Sequence, residues 1–261
     1  MSKNIAIEET IDWIRIKRLM VIGLIGAILI LVGDFLAGWG VRDTSLDGIE
    51  GLISPYLTIS DCRLFWSAIL GSVGVPIAGI GHIGIYKLIK PYSRKYAKLY
   101  RVGILGFLSF GGAGVHVSSL AAAFFYKYMM AASPETALEA SIKFACYFPL
   151  PLYVVLFACW MILVFSHIKA FAKGFSPYPR WCWLFSMPVG TLLAGLIVVC
   201  GNHAIVNAIS VGAFSVGNIW NLGGLLLMLD RAKKTGNGAL LNGYDTIESM
   251  EYSGCADVRA N

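Results

Sequence analysis

The run from Leu19 to Trp39 carries a single charge, Asp34. At about 1.5 Å per residue it is long enough to cross the ~30 Å hydrocarbon core of a bilayer. A segment of this kind must satisfy its own backbone hydrogen bonds, which restricts it to a helix. The carboxylate within it costs several kcal/mol in hydrocarbon unless it is paired, hydrated or neutralised, so Asp34 marks a candidate site.

The rest of the chain repeats the pattern. Of its 261 residues 57% are hydrophobic and 14% charged, well under the roughly 25% charged of soluble domains. One all-α membrane domain is expected. The net charge of +6 comes from basic residues in short loops beside apolar spans, which is the membrane-orientation pattern and argues against nucleic acid as a partner. Membrane lipids, and a small-molecule or lipid ligand, are the partners expected. The cysteines, Cys62, Cys146, Cys159, Cys182, Cys200 and Cys255, include no CxxC pair, so neither a zinc knuckle nor a redox motif is indicated. Cys62 and Cys200 fall on one side of the membrane, which leaves a disulfide between them open.

Six spans are read: Leu19–Gly40, Leu64–Ile89, Val102–Tyr126, Ile142–Ile168, Trp181–Cys200 and Ala204–Leu229. The last two are separated by Gly201-Asn202-His203, a turn signal. Residues 1–18 are expected to be cytoplasmic, with Ile7, Ile11 and Ile14 giving Ile5–Arg18 an apolar face. This start is charged and the apolar run after it is too long for a cleavable signal; no lipidation motif is evident. Residues 230–261 are Gly/Asn-rich and then acidic, and are expected to form a flexible cytoplasmic tail. The loop of Lys87, Lys90, Arg94, Lys95, Lys98 and Arg101 and the loop of Lys169, Lys173 and Arg180 are basic. The intervening loops hold Asp43, Asp47, Glu50, Asp61, Glu135 and Glu139. By the positive-inside rule both termini are cytoplasmic, in the cell inner membrane.

Three stripes recur at helical spacing: Ser109, Gly112, His116, Ser119 and Ala123; His203, Asn207, Ser210, Asn218 and Asn221; and Gly71, Gly74, Ala78 and Gly81, with His82 beside Ala78. Small and polar faces turn inward in a membrane bundle. Depth sorts them. Asp34 lies about 22 Å above Leu19 and His116 about 21 Å above Val102, at 1.5 Å per residue. Asn207 falls at a similar level with His203 above it, whereas His82 belongs to the inner half. Asp34 and His116 are therefore the candidate acid–base pair, and His116, Ser119, His203, Asn207 and Ser210 the candidate ligand-binding residues. No metal site and no cofactor are expected, since neither HxxxH nor HExxH occurs. His167, beside Lys169, reads as an interface residue. Pro149 and Pro151 read as a break in the fourth span, and Trp160, Trp181, Trp183 and Trp220 as belt candidates.

Gly23-Leu24-Ile25-Gly26-Ala27 with Gly33-Asp34, Pro179-Arg180-Trp181 followed by Pro188, and Gly217-Asn218-Ile219-Trp220-Asn221 together resemble an uncharacterised group of small bacterial multi-pass membrane proteins, a domain of unknown function. The resemblance implies no activity. A fainter likeness is to the intramembrane alkaline ceramidases and related receptors, whose Ser, Asp and His residues assemble a metal site in seven helices; this chain departs from them in its six spans and its lack of HxxxH. Three functions stay open: binding or transport of a small or lipid-like ligand in an outward-facing polar pocket, lipid hydrolysis or isomerisation by Asp/His chemistry, and a structural or assembly role.

Overall fold

The structure is a computed structural model and describes residues 11–235. Among these residues every regular element is helical. Helix α1 (Trp13–Gly38) begins at Asp12, whose carboxylate caps the Arg15 N–H at 2.9 Å. Two short helices, α2 (Gly48–Ile53) and α3 (Pro55–Thr58), lead into α4 (Asp61–Ile89). Then come α5 (Arg94–Phe110), a π-helical turn at Gly111–His116, and α6 (Val117–Ala132), which continue one another. Helix α7 (Pro134–Tyr147) folds back against α6, and α8 (Pro149–Ala172) recrosses the bundle. A 3-10 turn at Arg180–Phe185 precedes α9 (Met187–Gly195), which tightens into a second 3-10 turn at Leu196–Cys200. Helices α10 (Ala204–Val211) and α11 (Ala213–Leu227) complete the bundle.

Four helical runs are long and apolar enough to cross a membrane: Trp13–Gly38, Asp61–Ile89, Arg94–Ala132 and Pro149–Ala172. The α10–α11 pair makes a fifth if its 66° bend at Gly212 is one broken span. The sequence reading is corrected at two places. Its fourth span, Ile142–Ile168, is two helices that meet at Phe148. Pro149 and Pro151 start α8 rather than break it, since a proline in the first turn has no N–H to leave unpaired. The fifth, Trp181–Cys200, is interrupted at the extended Ser186, and its apolar part, Met187–Cys200, is shorter than the other spans. Of the amphipathic segment Ile5–Arg18, residues from Trp13 onward are the first turns of α1; residues 5–10 lie outside the described residues. So does most of the proposed tail, although residues 229–235 are helical and Ala232 is fully buried. Cys62 and Cys200 are both free and exposed.

Helices α1 and α4 pack with almost no side chain between them. A Cβ on Gly23 would overlap the backbone of Gly81, and one on Gly26 the backbone of Ala78. Without a hydrophobic force inside lipid, this approach of small faces is what joins membrane helices. The largest core lies at the end of the bundle that carries the basic loops, where Ile16, Met20, Leu88, Ile89, Tyr100, Phe171, Leu222 and Leu225 are buried together. The opposite, far end is tied by polar contacts. Arg63 donates to the carbonyls of Leu36 and Trp39, capping the last turn of α1. The Asn202 amide both accepts from the Arg42 N–H and donates to its carbonyl, at 3.0 and 2.8 Å.

Candidate functional site

Asp34, on α1, is buried about one turn short of the helix's far end. The Ser215 hydroxyl donates to its Oδ2 at 2.5 Å, and its Oδ1 lies 3.5 Å from His116 Nδ1. The second imidazole nitrogen, Nε2, is 2.9 Å from the Ser67 carbonyl oxygen. A carbonyl only accepts, so Nε2 carries hydrogen and donates. Nδ1 is therefore the nitrogen free to exchange a proton with Asp34. One proton held between carboxylate and Nδ1 leaves the pair neutral, the state that apolar surroundings favour.

Two features of the backbone bring the imidazole there. Residues 111–116 form a π turn, a single widened turn of the sort found at functional sites. It shifts His116 relative to a regular helix. Opposite it, a Cβ on Gly71 would collide with the imidazole ring, so the glycine is what lets His116 reach Ser67. Pro76 lies inside α4 and has no N–H for the carbonyl of Ser72. That carbonyl lies beside Gly112, in the same π turn.

The pair opens into a cavity of about 220 Å³. Ile30, Val75, Phe107, Val115, Leu156 and Met187 supply apolar wall; Tyr56, Tyr153, Phe157, Trp160 and Phe214 supply aromatic wall; Ser119 and Asn218 add polar atoms. Among the described residues no lysine or arginine lines it. Tyr153, Phe157 and Phe214 are 43%, 52% and 46% exposed on the outside of the bundle. Between α8 and α11 the wall is closed by the Trp160 and Phe214 rings, 5.4 Å apart and edge to face.

The five residues expected to bind ligand divide. His116 and Ser119 line the cavity; the Ser119 hydroxyl also donates to the Val115 carbonyl. Asn207, Ser210 and His203 do not line it. The Asn207 amide donates to the Gly40 carbonyl at 2.7 Å and to Asn202 Oδ1 at 3.0 Å, joining the far-end loops. Ser210 bonds its own helix at Val206, and His203 is exposed just before α10. Depth counting assumed a straight sixth helix, and the bend at Gly212 carries α10 past the level of Asp34. Ser67, Ser215, Tyr56, Tyr153 and Trp160 were missed. Ser67 had a signal, since it extends the Gly71, Gly74, Ala78 stripe by one turn. Trp160 faces the cavity instead of a headgroup belt.

A second polar cluster lies toward the basic end. His82 Nδ1 is 2.8 Å from the Tyr100 hydroxyl and its Nε2 is 2.9 Å from Asn218 Oδ1. The amide oxygen accepts from Nε2, so Nδ1 accepts from the phenol. His167 stacks on Phe171 with ring centroids 4.3 Å apart. It is 1% exposed, not interfacial as its place beside Lys169 suggested. Among the described residues no group of three or more His, Cys, Asp or Glu side chains could hold a metal ion.

A family model covers residues 1–232. The chain belongs to a family of unknown function, DUF6796. No curated protein and no solved structure matches it.

Proposed function

We propose that this DUF6796 protein is a multi-pass protein of the cell inner membrane that binds, and in binding serves to move, a small or lipid-like ligand in the Asp34–His116 cavity. In this reading the bent α10–α11 pair is one crossing and Arg180–Cys200 another, giving six, with both termini cytoplasmic. The basic end of the bundle supports that orientation, since Lys87, Lys90, Arg94, Lys169 and Lys173 all flank spans there. The observation that carries the reading is the cavity itself: mainly apolar walls around one buried carboxylate–imidazole pair, the common composition of small-molecule sites. Its volume of about 220 Å³ is below the roughly 300–1,000 Å³ of sites that enclose a whole drug-sized ligand. A headgroup and the start of a chain fit, and the exposed faces of Tyr153, Phe157 and Phe214 give the remainder a way out to the bilayer.

Photolabelling tests this. With the full chain in lipid nanodiscs and a diazirine-bearing fatty alcohol as probe, adducts are expected on Tyr153–Trp160 and Phe214. Leu156→Trp, which fills the cavity from α8, should remove them. Equal labelling of every lipid-facing helix, unchanged in the variant, would reject a site. Hydrolysis through a covalent intermediate has weaker support, because among the described residues no hydroxyl or thiol is hydrogen-bonded to Nδ1 of His116, whose near partner is the Asp34 carboxylate.

A further inference from the structure

We infer that the headgroup taken by this cavity is an organic cation, and that its binding expels the proton shared by Asp34 and His116. The inference rests on the cavity being a ligand site and adds the ligand's charge. The Ser215 hydroxyl and His116 Nδ1 are the near partners of the Asp34 carboxylate, at 2.5 and 3.5 Å. The titratable side chains on the other walls are the phenols of Tyr56 on α3 and Tyr153 on α8. Helices α4, α5, α9, α10 and α11 contribute no ionisable group to the lining. Arg42, in the loop between α1 and α2, acts on Tyr56 from that side but does not line the cavity. The site thus holds a potential negative charge without a permanent positive one.

The walls supply the other half of the recognition. Tyr56, Phe107, Tyr153, Phe157, Trp160 and Phe214 put six aromatic rings around one carboxylate. Aromatic faces attract quaternary and protonated amines, more strongly when desolvated. An anionic headgroup would face the same rings and the carboxylate, with no lysine or arginine among the described residues of the lining. A neutral headgroup would leave the proton where it is.

Charge balance then defines the exchange. Before binding, one proton makes the Asp34–His116 pair neutral. A bound cation beside Asp34 neutralises the carboxylate instead. The proton leaves Nδ1 or the carboxyl for water, His116 stays neutral with Nε2–H on the Ser67 carbonyl, and the net charge of the cavity is unchanged. One cation enters for one proton released.

Dodecyltrimethylammonium is the decisive probe, because it has no N–H: any proton released comes from the protein. Wild-type protein in nanodiscs, titrated in weakly buffered solution with a pH indicator, should release about one proton per bound probe. Affinity should rise about tenfold per pH unit wherever the pair still holds its proton. The same compound should displace the photolabel, and dodecanol should displace it without proton release. Asp34→Asn should remove the pH dependence. The slope measured on the wild type decides the matter even if that variant does not fold. If dodecanol and dodecyl sulfate displace the label as well as the ammonium and no proton appears, the inference is overturned while the binding site stands. If the fatty alcohol labels no site at all, the binding reading fails first.

Discussion

The bundle has two polar centres on the same helices, and they are built in opposite ways. Toward the basic end, His82 is fully buried and both its nitrogens are partnered, by Tyr100 and Asn218. The backbones around it are regular and close, with Gly81 against Gly23. Toward the far end, Asp34 and His116 face an open cavity, and the backbone is irregular at that level on two of the elements that carry the site. The π turn places His116, and the bend at Gly212 turns Ser215 inward. Similar residues therefore give a closed network where helices are unbroken and a cavity where they are broken. A polar residue in a span marks a site only when the backbone around it also leaves room.

The largest effect expected from testing this contrast is at the packed end. Gly26→Leu puts a branched side chain where a Cβ already overlaps the Ala78 backbone. Backbone has no rotamer to give, so α1 and α4 must separate. Loss of folded protein is expected, read as aggregation on size exclusion in detergent. A variant that melts like the wild type would mean the glycine contact does not hold the pair.

An intermediate effect is expected at His82. His82→Leu leaves the Tyr100 hydroxyl and Asn218 Oδ1 without their partner in the interior. A destabilisation of about 1–3 kcal/mol should follow, measured by unfolding in mixed micelles. Adding Asn218→Leu should cost less than the sum of the two single changes, because the pair is lost together. Strict additivity would show that His82 and Asn218 are not coupled.

The smallest stability change is expected at Asp34. Asp34→Asn keeps the shape and leaves an amide oxygen able to accept from the Ser215 hydroxyl. The site is neutral before and after the change, so its melting temperature should shift by the equivalent of no more than about 1 kcal/mol. A large loss of stability would make Asp34 a structural member of the bundle, like His82, and end the comparison.

Much of this architecture was legible from the residues. Apolar runs without charges can only be helices in lipid, so the all-α class followed directly. The level of Asp34 and His116 could be counted, because α1 and the first turns of α5 are regular, and a fixed rise per residue then gives depth. The same count failed at Asn207, where α10 is bent away at Gly212. His167 was misplaced because sequence shows its neighbour Lys169 at the span's end but not Phe171 and Tyr100, whose rings enclose it. Ser215 and Tyr153 gave no signal, since a lone serine or tyrosine in an apolar helix has no periodic partner to mark its direction.

What the sequence determined by itself is the solvent, the element type and the one charge that needs a partner, because each depends on local composition and a fixed helical rise. Which residues meet that charge was decided by tertiary structure. A π turn moves the side-chain register of the residues after it, a 66° bend redirects everything before or after it, and a glycine opposite admits a ring. None of these is a property of the segment in which Asp34 lies; each depends on how a neighbouring helix departs from regularity at the depth where the two come together.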